Sequence, residues 1–104
     1  MLDPALREKK RYVVFETLED KAYETVKDNI YKESLAFLGE KGTGEMGLIF
    51  LPEHWSNKRG IVRVNYLMVN ELKIVLGLIK GMKTKTIKTT GSLKKAKKIM
   101  IGEQ

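Results

Sequence analysis

Apolar positions along this chain follow two rhythms, one with a period of two and one with helical spacing. In "RYVVFETL", Arg11 to Leu18, β-branched and aromatic residues run almost unbroken, which predicts a strand. Alternation puts Tyr12, Val14 and Glu16 on one face and Val13, Phe15 and Thr17 on the other. Both faces are largely apolar, so both are expected to be covered. The next segment, "AYETVKDNIYKESLAFLG", spaces Tyr23, Val26, Ile30 and Phe37 as one stripe of an amphipathic helix, with Gly39 where a C-terminal cap belongs. "GEKGTGEMG" then reads as a flexible loop, because Gly39, Gly42, Gly44 and Gly47 fall at irregular intervals that fit no phosphate-binding signature.

"MGLIFLPEHW" predicts a strand running into Pro52, and "KRGIVRVN" its hairpin neighbour across a polar turn at Ser56 to Lys58. "LMVNELKIVLGLIKG" predicts a second helix with Asn65 as N-cap and Gly81 as the stop. "KTKTIKTT" has the β-branched, lysine-rich character of an edge strand. "SLKKAKKIM" closes with a short helix capped by Ser92. The order strand, helix, strand, strand, helix, strand, helix predicts an α+β, ferredoxin-like (RNA-recognition-motif-like) sandwich: a four-stranded antiparallel sheet with two helices on one face and a basic amphipathic C-terminal helix on the other.

Composition fits one domain over residues 1–104, since 104 residues with 42% apolar content suffice for a single core. Charge changes the picture more. Residues 1–79 hold twelve Lys/Arg against twelve Asp/Glu, whereas residues 80–104 hold eight Lys and one Glu, so the net charge of +7 sits in the last quarter. Such a focused patch is the footprint of a polyanion binder, or of a solvated tail. The pattern within it favours the first: Leu93, Ala96, Ile99 and Met100 share one arc of the closing helix while Lys94, Lys95, Lys97 and Lys98 take the other. A floppy tail has no apolar stripe to keep. The helix is therefore expected to cap the sheet near Tyr12, Val14 and Ile61, and its N-terminal amides add a second anion-attracting feature beside Ser92.

"RGIVRVNY" aligns loosely with the aromatic motif by which sheet faces stack RNA bases, but Ile61 and Arg63 occupy its two central ring positions. Contact through phosphate and shape is expected instead. The second helix carries a sheet-facing stripe of Met68, Leu72, Val75, Leu76 and Ile79, plus Leu67, Ile74 and Leu78. Its apolar arc spans about 220°, more than one contact surface needs. The excess fits a protein partner, or a cover supplied by the terminal strand or its loop.

Catalytic resources are sparse. Cysteine is absent, which points to a reducing cytoplasm, and His54 is the sole histidine. Glu16, Glu19 and Asp20 lie near a strand end and Glu24, Asp28 and Glu33 on a helix, dispersed rather than gathered for acid-base or metal work. His54 and Trp55 read as a surface loop pair, with stacking of Trp55 on RNA or a subunit as the sharper alternative. No apolar run reaches a membrane span, so a soluble cytoplasmic protein is expected.

In order and spacing, "LREKKRYVVFE", "LGEKGTGEMGLIFL", "KRGIVRVNYLMVNELKIVLGLIKG" and "TTGSLKKAKK" resemble the archaeal family of ribonuclease P protein component 2 over nearly the whole chain. The resemblance implies a subunit of the ribonucleoprotein that removes the 5′ leader of precursor tRNA, with the chemistry belonging to the RNA subunit and its Mg2+ and no cofactor bound by the protein. It implies ribonuclease P RNA and a TIM-barrel protein, component 3, as partners, with room for a second copy of the chain in a heterotetramer. The RNA contacts expected are Arg7, Lys9, Lys10, Arg11, Arg63, Lys88, Ser92, Lys94, Lys95, Lys97 and Lys98, and Leu67, Ile74 and Leu78 the partner contact. A generic RNA-binding or ribosome-associated module explains the lysines without a protein partner. An acylphosphatase-like enzyme would need an arginine-bearing loop after the first strand, where "ETLEDKAYE" offers acids.

Overall fold

Two apolar faces on one strand demand an interior position, and β1 (Lys10–Thr17) takes it. In the computed structural model, which describes residues 9–80 and 82–101, β1 pairs antiparallel with β3 (Arg59–Asn65) and with β4 (Thr84–Thr90). The short β2 (Ile49–Phe50) pairs with β3, giving the order β2-β3-β1-β4 with the lysine-rich β4 at an edge, as predicted. Val13 and Phe15 enter the main core with Val62 and Val64, against α1 (Tyr23–Met46) and α2 (Val69–Leu78). Val14 and Ile61 face the other way and meet Ala96 of α3 (Leu93–Met100). The ferredoxin-like sandwich with a third helix on the opposite face is thus the observed fold. An eight-residue helix is not stable alone. Full burial of a large apolar side chain contributes about 1.5–3 kcal/mol, and the partly buried Leu93, Ile99 and Met100 together with buried Ala96 hold α3 on the sheet through tertiary contact.

Several boundaries differ from the sequence reading, each for a packing reason. The glycine-rich segment is helical and not a loop: α1 continues to Met46 after a break at Gly39, whose φ of 75° and ψ of −179° leave the helix for one residue. Gly42 and Gly44 each cost about 1 kcal/mol relative to alanine in a helix, which is why the sequence reads as a loop. Buried Thr43 and Met46 outweigh that cost, and Gly47 closes the helix in the left-handed region, its N–H donating to the Gly44 carbonyl at 3.1 Å. The buried stripe of α1 runs Val26, Ile30, Ser34 instead of reaching Phe37, which is 44% exposed. Beyond Phe50 the chain turns into a 3-10 segment at Pro52–His54 in place of extended strand.

The polar turn at Ser56–Lys58 is a two-residue primed turn: Asn57 and Lys58 have φ of 56° and 67°, and Ser56 and Arg59 exchange backbone hydrogen bonds at 3.0 and 2.9 Å. Asn65 does cap, accepting from the Leu67 N–H at 3.1 Å, but it opens a 3-10 turn at Tyr66–Met68 that precedes α2. The helix ends at Leu78, short of Gly81, which lies outside the described residues. Early termination lets Ile79 pack on the core and brings Met82 into it.

Trp55 is not a free surface ring. It packs against Phe15 at 6.2 Å and Tyr23 at 5.6 Å between centroids, above Gly60. These contacts tie the partly buried ring to the core.

Candidate nucleic-acid interface

Four lysines in a row become a surface only if their helix is held, and α3 is held at both ends. At its start the Ser92 hydroxyl accepts from the Lys95 N–H at 3.4 Å, while the Thr90 hydroxyl accepts from the Ser92 N–H at 3.3 Å. At its end the Arg59 guanidinium donates through Nη1 to the Ile99 carbonyl at 3.4 Å and through Nε to Glu16 Oε1 at 2.9 Å. Lys85 Nζ stands 3.6 Å from Glu16 Oε2. Glu16 thereby joins β1, β3 and β4 and indirectly fixes the last turn of the lysine helix.

The Arg59 hydrogen bond is the main cause that holds the Glu16 carboxyl below its ordinary range, with the charges of Arg59 and Lys85 adding to it against partial burial. A carboxylate depressed in the folded state stabilises the fold above its unfolded pKa, and that contribution drains away as pH falls through the lowered folded value. Stability is therefore expected to decline below about pH 4.3, the ordinary glutamate value. Glu16→Gln should flatten that acid limb in thermal melts recorded from pH 7 downwards. An acid limb unchanged in the variant would remove Glu16 from this role.

The four lysines do not share one environment. A cleft of about 570 Å3 opens between β4 and α3, lined by Lys88, Lys95 and Lys98 together with Thr89 and Thr90, and none of its described lining residues is acidic. The bulge that makes Ile87 the extra residue of β4 leaves Lys88 opposite Val14, on the α3 side of the sheet. Lys97 looks to the other flank of the helix, into a smaller cleft shared with Glu53 and His54. Lys94 is exposed in the first turn, close to the helix N-terminus.

The basic lead-in converges on the same end of the sheet. Lys9 Nζ and the Arg11 guanidinium lie 5.5 and 5.9 Å from the centroid of the Tyr66 ring, and a side chain at Gly91 would stand 3.6 Å from Arg11 Nη1. Arg11 therefore neighbours the turn into α3, although 80 residues separate Arg11 from Gly91 in sequence. Lys10 and Arg63 sit on the α3 side of the sheet, in the strand registers Lys10↔Asn65 and Tyr12↔Arg63. Arg7 lies outside the described residues. Sequence reasoning missed the anchors Glu16 and Arg59. The signal available was that strand alternation puts both on the face of Val14 and Ile61.

On α2 and the 3-10 turn before it the outer stripe stays open: Leu67 is 68%, Ile74 48% and Leu78 43% exposed, so the described residues of β4 and its loop leave it uncovered. Among the described residues no three His, Asp or Glu gather as a metal site, and no helix is long and apolar enough to cross a membrane.

Known proteins share this chain's sequence over nearly its full length. It is similar to ribonuclease P protein component 2 of Pyrococcus abyssi, 33% identical over 98% of this chain and 92% of the relative. The proteins of the same name from Thermococcus gammatolerans and Pyrococcus horikoshii are 33% and 34% identical, over 98% and 93% of this chain and 91% and 87% of theirs. The family model described as Rpp14/Pop5 matches residues 11–101, from the start of the central strand to the end of the lysine helix. The chain belongs to the Rpp14/Pop5 family.

Proposed function

We propose that the chain is a protein subunit of ribonuclease P that supports removal of the 5′ leader from precursor tRNA by gripping the catalytic RNA. The observation that carries this beyond family membership is the acid-free cleft in which Lys88, Lys95 and Lys98 converge from two elements. Three lysines set together by a fixed backbone frame neutralise neighbouring phosphates, and each neutralised phosphate releases counterions. The RNA then needs less Mg2+ to hold its folded form, while the RNA and its Mg2+ perform the hydrolysis. A reducing cytoplasm as the place of assembly is part of this reading, supported by the absence of cysteine.

The deciding experiment is reconstitution of precursor-tRNA cleavage by a ribonuclease P RNA and the other protein subunits, with and without this chain, across a Mg2+ titration. The expected result is cleavage at lower Mg2+ when the chain is present. Identical Mg2+ curves would defeat the proposal and favour a generic RNA-binding module.

The exposed Leu67, Ile74 and Leu78 stripe is the surface assigned to the TIM-barrel partner, component 3. Alanine at Ile74 and Leu78 together is expected to weaken co-assembly by about tenfold or more, since central apolar contacts cost over 1 kcal/mol each when truncated. Calorimetric titration against the isolated partner checks this, and unchanged affinity would move the contact elsewhere. Pairing with a second copy belongs to the same assembly. It would meet the helical Glu40–Met46 segment in place of a flexible loop.

A further inference from the structure

The lysine helix covers only part of its side of the sheet. α3 packs over Val14, Ile61, Ile87 and Leu51, its last turn reaches Arg59, and partly buried Tyr12 rests against the edge of the same cluster. The strand registers place Thr90, Tyr12, Arg63 and Ile49 side by side across all four strands, in the row next to the covered one. This row lies at the opposite end from Arg59. Tyr12 and Arg63 are partly exposed and Ile49 is 42% exposed. Lys10 stands on the same side one register beyond.

Two features of that row ask for a ligand. Arg63 Nε is enclosed yet meets no hydrogen-bond acceptor among the described residues, so a guanidinium edge is left without its partner. Tyr12 is also the ring that remains for stacking on the basic side. Lys9 and Arg11 lie over Tyr66, Lys27 lies over Phe50, and Trp55 packs on Phe15 and Tyr23. Tyr31 and Phe37 belong to α1, the layer on the opposite side of the sheet. An aromatic ring flanked by two cations, with an aliphatic floor at Ile49, is the chemistry that receives an unstacked base and its phosphate. A duplex cannot present a base face to a sheet.

We infer that Tyr12, with Arg63 and Lys10, forms a binding site for an unpaired nucleotide of single-stranded RNA on the open end of the sheet. The site lacks rings at the two central β3 positions, yet β1 supplies one directly opposite Arg63. This rests on the RNA-gripping reading above and deepens it: the Lys88, Lys95 and Lys98 cleft holds backbone, while Tyr12 holds one base beside it. A single stacked base gives affinity with little sequence preference, because every base has a face to offer.

The test is titration of a single-stranded oligoribonucleotide carrying one 2-aminopurine, followed by its fluorescence, with the full chain and with Tyr12→Phe, Tyr12→Leu and Lys95→Ala/Lys98→Ala. Quenching at saturation is expected for the parent and Tyr12→Phe. Tyr12→Leu, which keeps apolar contact with α3, is expected to lose the quenching and about tenfold in affinity. The lysine variant should bind more weakly, most of all at low salt, yet quench fully when saturated. If Tyr12→Leu quenches and binds like the parent, the nucleotide site is overturned while the lysine cleft stands. If the parent binds no RNA, both readings fall. Should Tyr12→Leu not fold, photocrosslinking of a 4-thiouridine oligonucleotide to the parent chain decides. Crosslinks at Tyr12 support the site, and crosslinks confined to other residues overturn it.

Discussion

Changing Lys88, Lys95 and Lys98 together to alanine is expected to remove about three units from the slope of log affinity for the RNA against log salt, one for each lost phosphate contact. The same variant should need visibly more Mg2+ to reach full cleavage in the reconstituted enzyme. All three side chains are exposed and outside both apolar clusters, so the fold should be unaffected. Lys97→Ala is the internal control. It shares its flank with Glu53 and His54 instead of the acid-free cleft, and its removal should change the slope by less than one unit. Filter binding at four salt concentrations, with thermal melts to confirm folding, separates the outcomes. Equal effects from Lys97 and from each cleft lysine would mean that the helix acts as an undifferentiated cationic rod.

Gly60→Ala should be strongly destabilising, because a single methyl there presses on two rings at once. A Cβ at this position would lie 2.9 Å from both Phe15 Cζ and Trp55 Cε3 and 3.2 Å from Phe15 Cε1. Neither ring can yield easily, because Phe15 is fully buried and Trp55 is backed by Tyr23. Partial burial pushes the Tyr23 hydroxyl up to about 12, with the charges of Glu24 and Glu53 contributing. Overpacking of this kind costs about 1–3 kcal/mol. Propensity alone predicts the opposite sign, since glycine inside a strand weakens it. The direction of the shift is therefore diagnostic. A fall in Tm of roughly 4–8 °C per kcal/mol is expected, and a rise would mean that the rings do not press on Gly60. Trp55→Leu in the same chain should recover part of the loss, a coupling that a double-mutant cycle measures.

Much of this was legible in the residues. Alternation in "RYVVFET" predicts a strand covered on both sides, and β1 does lie between α1 and α2 on one face and α3 on the other. The arc of Leu93, Ala96, Ile99 and Met100 likewise predicts a docked helix with its lysines outward, and those residues do meet Val14 and Ile61. Both signals are local periodicities whose meaning does not depend on distant partners. Phe37 shows where that fails: helical spacing allows it on the stripe, but Ser34 takes the buried place and bonds back to the Ile30 carbonyl at 2.8 Å.

By itself the sequence determined the order and type of the main elements, the cover on both faces of β1 and the cationic side of α3, because periodicity and charge are properties of neighbouring residues. Tertiary structure alone decided that Gly39 breaks a helix without ending it, and that Lys97 parts company with Lys95 and Lys98. It alone set Arg59 under the end of α3 and Tyr12 beside an unpartnered Arg63. These depend on strand register, a one-residue bulge and the burial of Thr43 and Met46, energies that arise between residues far apart in the chain and leave no local trace.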